Sequence, residues 1–332
     1  MEYRSLGRTG VQVSSLCLGC MNFGWGTEEG DSIRIIHRAI DAGINFLDTA
    51  NVYARGTSET ITGKALSQGG RRDRVVLATK VHGRMDDDDP NAWGNHRRHI
   101  VMQCEASLRR LGTDWIDLYQ IHRPQPHVPI DETLRALDDL VRSGKVRYVG
   151  TSTYAAWQLM EAVMVAREFG LTRFVCEQPP YNILDRRVER ELLPFCRTYG
   201  VGVIPWSPLA GGLLSGKYTP GQPAPAGSRF EKGLPERRAT EHAFAAIEGV
   251  RALAEAKGCS LGAFAIAWCA AQPGVTSPII GPRTEDQLLD ALSSTNVTIT
   301  DEDRQAVDGL VEPGTHVSAF YEADFGPNAR WL

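Results

Sequence analysis

The chain has no run of about 18 apolar residues, and its opening, MEYRSLGRTG, has no apolar h-region, which argues against membrane spanning and secretion. Nor does it carry an excess of positive charge. Its 36 Lys and Arg against 40 Asp and Glu leave a formal charge of −4, so no basic field marks nucleic acid or an anionic membrane as a partner. A disulfide framework is also missing. The seven cysteines (Cys17, Cys20, Cys104, Cys176, Cys196, Cys259, Cys269) are scattered and odd in number. Several lie inside apolar runs such as Leu16-Cys17-Leu18, which reads as reduced thiols in a cytoplasmic protein. Cys17 and Cys20 form a C-x-x-C, but no second Cys or His pair at zinc spacing accompanies it, and no metal is expected. No G-x-G-x-x-G follows the first strand, and Gly211 to Gly216 lacks the Lys-Ser/Thr ending of a Walker loop.

What is present is a rhythm. An alternating segment, Tyr3 to Leu6 and Val11 to Val13 around a turn at Gly7 to Gly10, predicts an N-terminal β-hairpin. Eight apolar runs then predict strands: 16–19, 46–48, 75–80, 116–122, 146–150, 174–178, 201–206 and 277–281. Between and after them, helical periodicity covers 32–42, 58–67, 100–111, 130–142, 156–169, 187–199, 241–271 with a break at Gly258, and 285–292. Strands without a polar face, in strict alternation with helices, fit a parallel sheet covered on its outer side. Eight such units predict a (β/α)8 TIM barrel, with residues 1–332 as a single domain. Three Gly- and Pro-rich segments break the rhythm: 83–95, 207–240 and the tail 311–332. They are expected to wall the catalytic face as long loops, because loops that follow barrel strands gather there. The acidic run Asp86 to Asp89 reads as a solvated loop.

Polar residues that end barrel strands converge on that face. Here they are Asp48, Lys80, His122, Ser152 just after the fifth strand, Gln178, and Trp206 with Ser207; Tyr53 follows Asp48 closely enough to turn back into the same mouth. Singly, each could cap or face solvent. Together they suggest proton chemistry. A tyrosine is a poor acid near neutrality, an adjacent ammonium favours its phenolate, and an aspartate would hold that ammonium charged. Tyr53 is then the proton donor, Lys80 and Asp48 its tuning pair, and His122 a group that holds the substrate oxygen or assists the transfer. A proton donor without a nucleophile, a metal cluster or a carboxylate pair needs a partner reagent, and nicotinamide hydride would supply it.

These features, taken with several ordered motifs, resemble the aldo-keto reductases over nearly the whole chain, and the branch near the potassium-channel β subunits in particular. The motifs are Gly43 to Ala50 with Tyr53, Leu77-Ala78-Thr79-Lys80, Leu108 to Leu111 leading to Asp117 to His122, Gly144 to Gly150, Trp206 to Leu213 and Pro278 to Gly281. The resemblance implies NADPH-dependent reduction of an aldehyde or ketone, a keto-sugar among the candidates, with Asp48, Tyr53, Lys80 and His122 as the catalytic tetrad. It implies that Ser152 and Gln178 hold the nicotinamide carboxamide and that Trp206 stacks on the ring. By the same resemblance Ser207, Leu209, Gly212 and Lys217, with Arg229, meet the pyrophosphate, while Gly281, Arg283, Gln287 and Asp290 take the adenosine end. Arg283 is the argument for NADPH, since a guanidinium pairs with a 2′-phosphate in bidentate fashion.

The sequence departs from the family pattern at Ala291, usually Asn, and at Thr153, often Asn or Arg. Channel β subunits carry Asn where this chain has His122, which favours an enzyme over a regulatory subunit. A glycosidase is disfavoured because no Glu ends a catalytic-side strand. Trp25, Trp93, Tyr181 and Trp331 are the candidate walls of an apolar substrate pocket. Relatives of this type often associate, so a homo-oligomer stays open.

Overall fold

The computed structural model describes residues 1–319. A two-stranded antiparallel hairpin, β1 (Tyr3–Ser5) and β2 (Gln12–Ser14), precedes an eight-stranded parallel sheet. The sheet comprises β3 (Cys17–Gly19), β4 (Phe46–Asp48), β5 (Val76–Val81), β6 (Ile116–Ile121), β7 (Val146–Ser152), β8 (Cys176–Gln178), β9 (Gly202–Val203) and β10 (Ile279–Ile280). Strand β10 pairs back with β3, and residues 275–279 close the circle against β9, with Thr276 N–H donating to Val203 O at 2.7 Å and Ile279 N–H to Pro205 O at 2.8 Å. The expected barrel is therefore present.

The last two strands are shorter than the apolar runs that predicted them. Pro205 and Pro278 lack an N–H, so the chain there runs extended with isolated hydrogen bonds in place of a ladder.

Around the barrel lie α1 (Glu29–Asp41), α2 (Thr57–Leu66), α3 (Arg97–Leu111), α4 (Ile130–Arg142), α5 (Ala156–Phe169), α6 (Leu192–Tyr199), α7 (Glu241–Ala256), α8 (Leu261–Ala270), α9 (Glu285–Ser293) and α10 (Asp301–Leu310). The segment read as one helix over 187–199 is a single 3-10 turn followed by α6. Pro194 explains the late start, because proline is tolerated only in a helix's first turn. The break near Gly258 lies where expected, with Gly258 at φ +66° and the Ser260 hydroxyl capping α8. Helix α10 is absent from the sequence-based reading, although Thr300 and Asp303 form a reciprocal capping box with three acids in the first turn.

Two apolar layers result. Leucines, isoleucines and valines on the outward strand face pack against the helices. Inside the barrel, alternate residues of successive strands (Cys17, Phe46, Ala78, Leu118, Cys176, Ile204, Ile279) fill the interior together with Leu6 and Val13 of the hairpin. The hairpin thus plugs the end opposite the catalytic face. Gly7 makes that fit possible: at φ +57°, a Cβ would lie 2.3 Å from Val175 O.

Candidate active site

Strand alternation sorts the polar residues. On β5, Ala78 points into the barrel, so Lys80 does as well; on β6, Leu118 points in and Gln120 follows it. Above the apolar plug, the interior becomes polar and stays buried: Asp48, Lys80, Gln120 and Gln178 are each at most 3% exposed.

An aliphatic plug below and charged groups above form an unusual interior, and the hydrogen bonds satisfy it. The Lys80 ammonium donates to Asp48 Oδ2 at 2.5 Å, to Thr49 O at 2.7 Å and to the Tyr53 hydroxyl at 3.1 Å. The other oxygen of Asp48 accepts from two amides, Gln120 Nε2 at 2.9 Å and Gln178 Nε2 at 3.0 Å. Burial opposes the Lys80 charge, but the Asp48 carboxylate and then Tyr53 outweigh it and hold the ammonium above the usual lysine range. Lys80 is charged at neutral pH.

Tyr53 reaches this ammonium from a turn of unusual backbone. The 3-10 turn Tyr53–Gly56 places Ala54 and Arg55 at φ +47° and +52°, a left-handed conformation that costs about 1–3 kcal/mol per non-glycine residue. Arg55 is held from the next loop by Asp87 at 3.3 Å. The His122 ring meets Tyr53 edge-on, with centroids 5.6 Å apart. Burial, then the cations Arg123 and Lys80, push His122 well below the ordinary imidazole range, so it is neutral. The structure therefore brings Asp48, Tyr53, Lys80 and His122 into one cluster.

The register reveals a row at the mouth. The ladder pairs Ile121 with Thr151 and Ser152 with Gln178, while His122 N–H donates to Val81 O at 2.9 Å. His82 and His122, each just past its strand, and Ser152 and Gln178, each the last residue of its strand, consequently follow one another along the rim of β5 to β8. The Ser152 hydroxyl donates to Gln178 O at 2.9 Å. The Gln178 amide nitrogen is turned to Asp48 and to Gln120 Oε1, which leaves its own Oε1 without a hydrogen bond among the described residues.

Arg123 spans the rim. Its Nη1 donates to His122 O at 2.6 Å and to Thr153 Oγ1 at 3.0 Å, and the guanidinium lies 5.9 Å from the Trp206 ring centroid. Sequence reasoning missed Gln120, Arg123 and His82. Counting by twos along the strands from His122 and Lys80 finds the first and last.

The other expected cofactor residues line one side of the mouth. Half-buried Trp206 and Ser207 begin the long loop, with Ser207 at φ +56° and its carbonyl accepting from Asn182 Nδ2 at 3.3 Å. Leu209 packs on the core and accepts from Gly212 N–H at 2.8 Å; Gly211 and Gly212 hold φ +69° and +109°. The exposed Lys217 returns over this turn, and a Cβ on Gly212 would lie 3.7 Å from its Nζ.

Arg283 is half-buried and clamps two loops: Nη1 donates to Gly227 O at 2.8 Å and Nη2 to Gly26 O at 3.3 Å. Its backbone N–H donates to Gln287 Oε1 at 2.9 Å. Arg229 is exposed, yet crowding by protein atoms and repulsion from Arg283 hold it below the usual guanidinium range. Gly281 O accepts from Asn22 Nδ2 at 3.1 Å, and Asp290 lies at the start of α8, where a Cβ on Gly262 would meet its Oδ2 at 3.0 Å.

Of the expected pocket walls, Trp25 is 77% exposed on the loop after β3, and Trp93 meets His82 edge-on at 6.0 Å. Tyr181 is a correction. Its ring is fully buried against Trp268, and its hydroxyl donates to Glu189 on the helical flank, because this part of the chain turns away from the mouth. Trp331 and the end of the expected tail lie outside the described residues.

A buried Lys–Asp pair therefore meets a tyrosine hydroxyl at the barrel strand ends. The model of the aldo/keto reductase family matches residues 15–312. The chain belongs to the aldo/keto reductase family. Members of this family are oxidoreductases that act on carbonyl groups with a nicotinamide cofactor. This aldo/keto reductase is 43% identical over 314 residues to the uncharacterized oxidoreductase YrpG of Bacillus subtilis (strain 168), covering 91% of this chain and 93% of that one. It is 40% identical over 304 residues to a probable voltage-gated potassium channel subunit beta of Oryza sativa subsp. japonica, covering 90% and 92%. To the versiconal hemiacetal acetate reductase of Aspergillus parasiticus it is 38% identical over 332 residues, covering 92% and 95%.

Proposed function

We propose that this protein reduces an aldehyde or ketone to an alcohol at the expense of NADPH, with Tyr53 as the proton donor. When bound, the nicotinamide supplies the hydride. The residues of the chain supply the proton and the geometry. The Tyr53 hydroxyl gives its proton to the carbonyl oxygen as negative charge develops there, and the Lys80 ammonium, 3.1 Å away, favours the phenolate left behind. Asp48, with one oxygen on Lys80 and the other held by two glutamine amides, keeps that ammonium fixed and charged. Neutral His122 donates a hydrogen bond to the same carbonyl oxygen. The observation that carries this reading is the hydrogen-bonded chain from the buried Asp48–Lys80 pair to the half-buried Tyr53.

Residues that would hold the cofactor fit it chemically. The unpartnered Gln178 Oε1 can accept from a carboxamide NH2, and Ser152 stands beside it. The left-handed turn at Gly211 and Gly212, with Lys217 above it, suits a pyrophosphate. Arg283 and Arg229, two cations close enough to repel, suit the 2′-phosphate that distinguishes NADPH from NADH. Seven free cysteines suit a reducing compartment, and we place the protein in the cytoplasm.

The test is Tyr53→Phe, assayed by NADPH oxidation over a panel of aldehydes, ketones and keto-sugars. Turnover is expected to fall by at least about a hundredfold, while NADPH affinity stays nearly intact. Retention of most of the turnover overturns the assignment. The match to channel β subunits raises a second reading, a cofactor-binding regulatory subunit. Tight NADPH binding with no turnover on any carbonyl would favour it.

A further inference from the structure

His82 occupies a position in the mouth that the tetrad does not use. It is the residue just after β5, two beyond Lys80, and stands beside His122, the residue just after β6, because the ladder ends on Val81 opposite Ile121 and His122 N–H donates to Val81 O. The surroundings of its ring determine where the proton sits. Asn95 Nδ2 donates to Arg123 O at 2.8 Å, so the amide oxygen of Asn95 must face His82, whose Nδ1 lies 2.9 Å away. A carbonyl-type oxygen only accepts, so Nδ1 carries the hydrogen and Nε2 keeps its lone pair. No hydrogen bond within the described protein engages Nε2, and it is not sealed from solvent. Burial, with Arg123 also opposing protonation, holds His82 below the ordinary imidazole range, so the lone pair persists at neutral pH.

We propose that His82 is a specificity-determining residue whose Nε2 accepts a hydrogen bond from a hydroxyl one or two carbons from the substrate carbonyl, selecting hydroxy-aldehydes and hydroxy-ketones over unsubstituted carbonyls. The inference rests on the carbonyl-reduction reading above and names its substrate class. Adjacent strands lie about 4.8 Å apart. His122 on the carbonyl oxygen and His82 on the neighbouring strand end would then offer a donor and an acceptor to two oxygens of one substrate. The same row favours a polar substituent for a second reason. A methyl group placed there would bury the lone pair without a partner, a loss that discriminates more strongly than the hydrogen bond itself.

Hydroxyacetone and 2-butanone, which exchange a hydroxyl for a methyl, test this in NADPH-oxidation assays on the full chain. The wild type is expected to prefer hydroxyacetone in kcat/KM by about tenfold or more. His82→Asn keeps a group near Nδ1 for the Asn95 contact but removes the acceptor at Nε2. It should lower the hydroxyacetone to butanone ratio about tenfold, chiefly through KM for hydroxyacetone. His82→Gln, which places an amide oxygen near the former Nε2, should recover part of the ratio. Equal losses on both ketones in His82→Asn would show that His82 serves only to pin the loop, and an unchanged ratio or a wild type without preference would likewise overturn the proposal. Failure of the wild type to turn over either ketone while it reduces aldehydes would overturn this inference alone, and no turnover on any carbonyl with NADPH bound would overturn the reduction reading and this inference with it.

Discussion

Gln120→Leu removes a side chain that is wholly buried and touches neither solvent nor, on the reading above, the substrate. Its amide nitrogen is one of the two amide donors to Asp48 Oδ1, and its oxygen accepts from Gln178 Nε2 at 3.2 Å. The bond to the carboxylate is worth about 1.5–3 kcal/mol and the amide pair about 0.5–1.5 kcal/mol. A leucine of similar shape offsets about 1–2 kcal/mol by apolar burial. A net destabilisation of about 1–3 kcal/mol follows, readable as a shifted urea midpoint at unchanged slope. Loss of about 1.4 kcal/mol of support for the Asp48–Lys80 pair during proton transfer would lower kcat about tenfold. KM for the carbonyl should move little, because Gln120 lies a layer below the mouth. Gln120→Glu sharpens the test. A carboxylic acid there can donate to Asp48 only while protonated, and the neighbouring carboxylate raises its pKa, so kcat should approach wild type near about pH 5.5 and collapse towards about pH 8. A Gln120→Leu protein within twofold of wild type in kcat and within about 0.5 kcal/mol in stability would refute the claim that this amide positions Asp48.

Arg283→Ala is expected to weaken NADPH binding about tenfold or more with little change for NADH, by fluorescence titration; equal losses would assign Arg283 to the loop clamp between Gly26 and Gly227 alone. Glu177, fully buried on β8, accepts from the Thr151 hydroxyl at 2.5 Å and from Tyr154 N–H at 3.1 Å, yet burial pushes its carboxyl up to about 8. Its folded-state pKa is raised, so the native state binds the extra proton and stability declines as pH rises from the unfolded value of about 4.3 towards 8. Glu177→Gln should flatten that decline and be the more stable protein by at least about 1 kcal/mol at alkaline pH. Parallel urea curves for the two proteins from pH 6 to 9 would contradict this.

Much of the fold and most of the tetrad can be read along the chain, for local reasons. Apolar runs without a polar face, broken by amphipathic stretches, force a covered parallel sheet, and the residue that ends each run is carried to one rim. That logic reaches Asp48, Lys80 and His122 without any knowledge of contacts. It also reaches Gln120 and His82 once the alternation is counted one step below and above. The capping box that starts α10 was equally legible, since Thr300 and Asp303 stand three apart.

The tertiary structure decided what depends on partners remote in sequence. Gln178 presents its oxygen to the mouth because Asp48, 130 residues earlier, claims its nitrogen. Asn95 fixes the proton of His82 because the Arg123 carbonyl fixes Asn95. Tyr181, aromatic and near a strand end, is drawn into the flank against Trp268, and Arg283 is oriented by the carbonyls of two remote loops, Gly26 and Gly227. A strand's period determines on which side a residue stands. Which lone pair or proton it offers depends on the packing that surrounds it, because a buried polar atom is satisfied by whatever group the fold brings within about 3 Å.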